Sequence, residues 1–205
     1  ASPAYAGSSN ITWEDAANYM AEVLVSGLGN NPVTEIDPTG NVWYSDNDAI
    51  KNLTAGVNPK EILWRGNREE NLNLERDNYP PTLFGSGRIN PTQNLVDAFP
   101  MANGYPIDNA SAGYDPANPY AGRDPRLAKY IIINGSTAGH QNTVINTAAD
   151  GVDNNGLNKI STSTRTGYYM RKLLNQSVNA NPSSESPGFH YKPFIRYTEL
   201  FLGYA

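Results

Sequence analysis

The sequence predicts a mainly α fold with long irregular loops and a few short strands. Helical periodicity is clear only near the start and at the end of the chain. The β-rich runs between are short, and the composition is that of turns: 26 Asn, 18 Gly and 15 Pro in 205 residues. Charged residues make up 17% and aromatic residues 10%, with 13 Tyr. Disordered chains are aromatic-poor and usually highly charged. This one is therefore expected to be ordered, with Tyr rings pinning irregular backbone.

Residues 1–9 show no periodicity. Thr12 can cap a helix over 13–26, with Asp15 at the third position and an Ile11/Ala16 staple. Trp13, Ala17, Met20 and Leu24 share one face of it, and Gly27 and Gly29 end it. Asn30 to Gly40 is loop. Trp43 and Tyr44 lead into a short helix over 46–54, closed by Gly56. Lys60 to Arg65 (KEILWR) reads as a strand, half-exposed because of Glu61. Gly66 to Gly87 reads as a long polar loop stiffened by Tyr79-Pro80-Pro81, and a loop of that length is usually functional or disordered.

The stretch Gly85 to Leu127 organises the rest. Gly85-Ser86-Gly87 is a hinge or tight turn. Asn90 can cap a helix starting at Pro91, with Gln93 at the third position; Leu95, Val96 and Phe99 form a small apolar face and Pro100 stops it. Asn103-Gly104 makes a tight reversal, because both residues tolerate positive φ. Asp124-Pro125 repeats the cap-then-proline device. Tyr130 to Ile133 is an apolar strand. Gly135 to Ser163 is poor in apolar residues and expected to be mobile, Tyr168 to Leu174 is β-compatible, and Asn179 to Gly188 is a turn region. A helix begins at Pro193. It is apolar to the end, without the Gly, Asn or charged last turn that closes a helix. The chain is therefore expected to be the middle or latter part of a longer protein.

The formal charge of −5 and pI near 5.0 argue against nucleic-acid binding, which needs clustered Lys and Arg to neutralise phosphates. Anionic polysaccharide is disfavoured for the same reason. With no Cys there is no disulfide, thiolate nucleophile or Cys-based zinc site. No apolar run reaches membrane-spanning length. His-Glu-x-x-His, Gly-x-Ser-x-Gly and phosphate-loop signatures are missing, so no catalytic residue and no cofactor is assigned. Glu69, Glu70, Glu75 and Asp77 could in principle serve a glycosidase, which needs two carboxyls across a cleft. Interleaved Arg65, Arg68 and Arg76 read better as their ion-pair partners. Asp150, Asp153 and Asn155 are weak calcium candidates: oxygen-rich, but without the alternate-residue spacing or closing Glu of a calcium loop. A flexible turn is the better reading there.

PTQNLVDAFPMANGYPI, then PYAGRDPRL, TRTGYYMRK at 164–172 and IRYTELFLGYA at 195–205, with ASPAY at 1–5, resembles the SusD/RagB family of outer-membrane, glycan-capturing lipoproteins. The resemblance implies a tetratricopeptide-like helix array beside a loop-rich lobe, only part of it in this chain. Residues 1–205 would be a single C-terminal lobe, with 10–27 and 194–205 as helices of the incomplete array. It also implies non-catalytic capture of oligosaccharide on the bacterial surface, a lipid anchor outside this chain, and a SusC-like TonB-dependent transporter as partner. The alternatives are a transporter lid or peptide receptor that binds no sugar, or the hydrolase above. Asn90–Phe99, Arg123–Leu127 and Arg165–Arg171 read as scaffold, with Arg123 and Arg126 pairing Asp115 or Asp124.

The resemblance implies an aromatic arc whose sugar-binding residues vary with the glycan, so chemistry must nominate them. Neutral sugars are gripped by aromatic faces and by amide and guanidinium hydrogen bonds. Trp43, Tyr79, Phe84 and Tyr105 are the stacking candidates, and Arg68, Asn71 and Asn73 their polar partners.

Overall fold

The computed structural model describes residues 12–26, 36, 50–53, 57–59 and 61–205. In chain order its elements are α1 (Trp13–Ser26), β1 (Ile62–Arg65), β2 (Glu69–Asn71), α2 (Asn73–Asn78), α3 (Gln93–Ala98), α4 (Pro125–Tyr130), β3 (Ile131–Ile132), β4 (Thr137–Ala138), β5 (Thr143–Val144), β6 (Tyr169–Met170), β7 (Gly188–His190), β8 (Pro193–Arg196) and α5 (Tyr197–Tyr204). Helix accounts for only 26%, so "mainly α" is corrected to a loop-rich fold with short helices and two- to four-residue strands. The chain divides into two compact units, 1–69 with 189–205, and 70–188.

The first unit is built on α1, α5 and the β1–β8 ribbon. Thr12 and Asp15 form the expected reciprocal cap: Asp15 N–H donates to Thr12 Oγ1 at 3.1 Å, and Thr12 N–H to Asp15 Oδ2 at 2.7 Å. Leu24 is buried, but Trp13 at the head of the same stripe is 61% exposed. α5 packs on α1 with Gly203 against the Met20 sulfur, a contact with no room for a Cβ. The staple residue Ile11, Gly27, Gly29 and most of the 46–54 helix lie outside the described residues.

Two expectations are corrected at the other end of this unit. Pro193 to Arg196 is a strand, antiparallel to β1 with Trp64 opposite Ile195, and the helix begins only at Tyr197. Glu61 explains the switch. It is 3% exposed rather than half-open, at φ 72°, and its carboxylate accepts from Arg196 Nη1 at 3.1 Å and Thr198 Oγ1 at 2.6 Å. Its carbonyl takes the Tyr197 N–H, satisfying one of the orphan donors at a helix start.

The second unit packs three small cores around the antiparallel pair β3–β6, in which Ile131 faces Met170 and Ile132 faces Tyr169. Side chains alternate across a strand, so Ile131 joins Val96, Leu127 and Tyr168, whereas Ile132 joins Ala138, Ile145 and Tyr169. Tyr79, Leu174 and Ala180 form the third core, and Leu83 packs against both of the last two. The segment 135–163, expected to be mobile, contributes the β4–β5 hairpin and the fully buried Ile145.

Caps are where composition and structure differ most. α3 is capped by Thr92, whose hydroxyl accepts the Leu95 N–H. Asn90 instead bridges loops, donating to the Gly87 carbonyl and accepting from Arg165 N–H, each at 2.8 Å. Asp124 caps α4 as expected and pairs with Arg126 at 2.7 Å, which holds its carboxyl below the usual range. The Asn103-Gly104 reversal forms, with Met101 N–H bonded to the Tyr105 carbonyl.

Arg123 pairs with no Asp. It is 8% exposed, and its guanidinium donates to the carbonyls of Val96 and Phe99 at 2.7 Å and Pro119 at 2.9 Å. It thereby closes the C-terminus of α3 and, with the Met101–Arg123 bridge, the base of the exposed excursion 102–122. Removing it strands the Phe99 and Pro119 carbonyls, each costing about 1–3 kcal/mol if left dry, while the Val96 carbonyl keeps the Phe99 N–H. Arg123→Met should lower unfolding free energy in urea by roughly 2–4 kcal/mol and open the 102–122 excursion to limited proteolysis. A change within experimental error would show that water replaces the guanidinium without loss.

Candidate ligand cleft of the second unit

The polar loop expected over 66–87 is largely structured. α2 occupies Asn73–Asn78, and a 3-10 turn follows at Pro81–Leu83. Pro80 and Pro81 set its φ angles, and the turn ends at Phe84 in the left-handed region (φ 64°, ψ 24°). Non-glycine residues with bulky side chains avoid that region, and here the ring is also 51% exposed. Gly85 makes the conformation possible, since a Cβ there would run into the Tyr79 carbonyl. Gly85-Ser86-Gly87 is thus a packed strap, with Ser86, Gly87 and Arg88 N–H groups bonded to the carbonyls of Arg76, Tyr79 and Asp77, and not a hinge.

A cleft of about 100 Å³ opens beside Phe84. Tyr79, Thr82 and Leu83 line it from the 3-10 turn; Gly139, His140, Gln141 and Thr143 from the tip of the β4–β5 hairpin; and Val178, Asn179, Ala180, Asn181 and Ser184 from a third loop. Tyr79, Val178 and Ala180 are buried and form its depth, while Phe84, His140, Gln141 and Ser184 are exposed at its rim. None of the described residues lining it is Asp, Glu, Lys or Arg.

Each wall is held by side chains bonded to backbone. Asn155, 0% exposed, takes both the N–H (3.0 Å) and the hydroxyl (3.1 Å) of Thr82 on its Oδ1 and returns Nδ2 to Thr82 Oγ1 at 2.7 Å. Its own carbonyl accepts from Tyr169 Oη at 2.8 Å. Tyr79 Oη donates to the Asn175 carbonyl at 2.9 Å, and the Asn175 N–H donates to buried Glu75 Oε1 at 2.7 Å. In the third loop Asn179 Nδ2 donates to the Ser184 carbonyl at 2.7 Å, and Asn179 Oδ1 accepts the Asn181 N–H at 3.1 Å. Gln176 Oε1 holds the hairpin tip through the Gly139 N–H at 3.0 Å.

Of the residues nominated from sequence, Tyr79 and Phe84 come together here. Tyr79 is corrected from stacking face to foundation, because its ring is 1% exposed and its hydroxyl is spent on backbone. Tyr105 is 46% exposed on the 102–122 excursion and does not line the cleft. Asn71 Oδ1 caps the start of α2 by accepting the Asn73 N–H at 3.1 Å. Arg68 belongs to the first unit, where it donates to the Lys51 carbonyl and lies 4.7 Å over the Phe189 ring. Trp43 lies outside the described residues. The exposed aromatic pair of the first unit is Trp64 and Phe194, centroids 4.9 Å apart, which the sequence did not single out.

His140, Gln141, Asn179, Asn181 and Ser184 also went unnominated. They lie on the β4–β5 tip and the 178–184 loop, which tertiary packing brings beside the 3-10 turn, and no local pattern announces that. The expected ion pairs are rearranged as well: Arg76 pairs with Glu185, and Arg88 with Asp77 at 3.1 Å. At the calcium candidates, Asp153 Oδ1 accepts the Asn155 N–H at 2.8 Å, Asn155 is turned onto Thr82, and Asp150 is exposed. Among the described residues no group of three or more His, Asp or Glu is close enough to hold a metal ion.

Residues 46–205 match the SusD family, and the chain belongs to that family. It is similar to the crystal structure of a SusD-like carbohydrate-binding protein of Bacteroides fragilis, at 25% identity and TM-score 0.67, over 94% of this chain and 35% of that one. A second SusD-like protein of the same species shares the fold at 20% identity and TM-score 0.56, over 94% of this chain and 39% of that one. The chain thus spans between a third and two fifths of these proteins. No curated protein matches it. Among the described residues no helix is long and apolar enough to cross a membrane.

Replacing the fully buried Asn155 by Ala removes its hydrogen bonds with the Thr82 N–H and hydroxyl and empties its site, so Asn155→Ala should cost roughly 1–3 kcal/mol in denaturant unfolding. Calcium or a chelator should leave the melting temperature of the unaltered protein unchanged; a calcium-dependent rise would restore a cation site at 150–155. Alkali offers a second probe. Burial pushes the Tyr169 phenol up to about 12 and raises Tyr79, where the Glu75 charge adds to the effect. A phenol whose folded pKa exceeds its unfolded value of 10.0 stabilises fully below that pH and loses the contribution as pH rises toward 12. Stability should be flat from pH 8 to about 9.5 and fall above it, and Tyr169→Phe should flatten the fall.

Proposed function

We propose that this lobe captures a neutral oligosaccharide at the bacterial surface without transforming it, as part of a lipid-anchored protein that delivers the sugar to a TonB-dependent transporter. One observation carries the reading. Phe84 is kept in a sparsely populated backbone region with half its surface in water, beside amides and hydroxyls in a cleft whose described lining has no Asp, Glu, Lys or Arg. Strain and an exposed ring both cost stability, and such features concentrate at binding sites. An aromatic face takes the apolar C–H surface of a sugar ring, while Gln141, Asn181 and Ser184 can exchange hydrogen bonds with its hydroxyls.

The carboxylates of the 69–77 segment give no support to hydrolysis. Glu75 is enclosed and bonded to backbone, Asp77 is paired with Arg88, and none of Glu69, Glu70, Glu75 and Asp77 lines the cleft. Binding by pre-formed walls spares ordering entropy, yet a small polar ligand recovers little beyond the water it displaces. The affinity should lie roughly between micromolar and millimolar. The carbohydrate-binding character of the Bacteroides fragilis protein supports the same ligand class.

Calorimetry of the full protein against a panel of neutral glycans should find binding without release of products, and Phe84→Ala should weaken it roughly five- to tenfold with the fold intact. Undiminished affinity in Phe84→Ala, or turnover lost in Glu70→Gln, would overturn the reading.

A further inference from the structure

The dimensions of the cleft carry a narrower conclusion, which rests on the sugar-capture reading. We infer that the Phe84 cleft takes a single sugar unit at a chain end or branch tip, and does not grip the interior of a polysaccharide.

Size comes first. A dry engineered cavity of about 150 Å³ holds one benzene, and sites that enclose drug-sized ligands span roughly 300–1,000 Å³. At about 100 Å³ this cleft admits at most one six-membered ring, and not the whole of it. The aromatic surface comes second. A run of sugar rings needs a run of apolar faces, but Phe84 is the exposed aromatic ring among the described lining residues, Tyr79 being sunk beneath it.

Closure comes third. Walls rise from three separate segments, the 3-10 turn, the β4–β5 tip and the 178–184 loop. The depth between them is filled by buried Val178 and Ala180. A ring inside a chain has a glycosidic neighbour on each side and needs two ways out. A terminal ring needs one, which suits a cleft walled by three segments and floored by buried residues. The walls are also poorly placed to part: the Thr82–Asn155 and Gly139–Gln176 bonds tie two of them to separate segments, and the Asn179–Ser184 bond braces the third from within.

Calorimetry of the full protein with neutral gluco-, manno-, galacto- and xylo-oligosaccharide ladders, from the methyl glycoside to about six rings, tests this. Within the ladder that binds, affinity should stay within about threefold from the second ring onward. The amount of parent polysaccharide that saturates the protein should scale with its chain ends and branch tips and not with its rings, and end-less cyclic glucans should neither bind nor compete in a gluco series. Phe84→Ala should weaken every member of the ladder by the same factor. Affinity climbing tenfold or more between two and six rings, or saturation following ring number, would overturn the chain-end inference and leave sugar capture standing. No heat from any ladder or polysaccharide would defeat both.

Discussion

Everything around the cleft depends on one pairing, Thr82 with Asn155, 73 residues apart in the chain. A loop-rich fold cannot satisfy its buried backbone groups through long ladders or helices, so side chains must do it. Asn155 does so three times over: it accepts the Thr82 N–H, trades hydrogen bonds with the Thr82 hydroxyl, and offers its own carbonyl to Tyr169. Tyr169 lies opposite Ile132 in the central strand pair. The turn that carries Phe84 is therefore fixed to the middle of the unit by two hydrogen-bonded steps.

The same device recurs wherever the chain turns without regular structure. Arg123 gathers three carbonyls at the base of the 102–122 excursion, Glu75 holds the Asn175 N–H, and Asn90 joins the Gly87 carbonyl to the Arg165 N–H. The high Asn content thus has a structural use first. An amide carries both donor and acceptor and can stand in for a peptide group, which is why most of the Asn side chains described here are spent on backbone. What is left for a ligand is the smaller set at the rim of the cleft.

The sequence made some of this legible and hid the rest for physical reasons. The Thr12/Asp15 cap, the Asp124-Pro125 start of α4 and the Asn103-Gly104 reversal are short-range devices, and each formed as its residues dictate. Family membership was legible because several motifs recur in order along the chain. The 66–87 and 135–163 segments looked unstructured because their contacts are distant: Tyr79 with Asn175, Thr82 with Asn155, Ile145 with Ile132. Phe84 was picked out by side-chain chemistry, but its left-handed backbone and its neighbours His140 and Asn181 come only from tertiary packing. Tyr79 shows the converse error, since a Tyr beside two prolines in a polar loop reads as exposed, yet burial of its ring stabilises the turn that follows.

The claim at the centre is that the loop scaffold exists to hold the Phe84 cleft ready for a neutral sugar. Residue-resolved NMR of the full protein during titration with a bound neutral oligosaccharide tests it most directly. The account predicts shift changes concentrated at Phe84, His140–Gln141 and Asn179–Ser184, with the Asn155 and Tyr169 signals unmoved beneath them. Changes centred instead on the exposed Trp64–Phe194 pair, or a large rearrangement of the Thr82–Asn155 signals on binding, would contradict it.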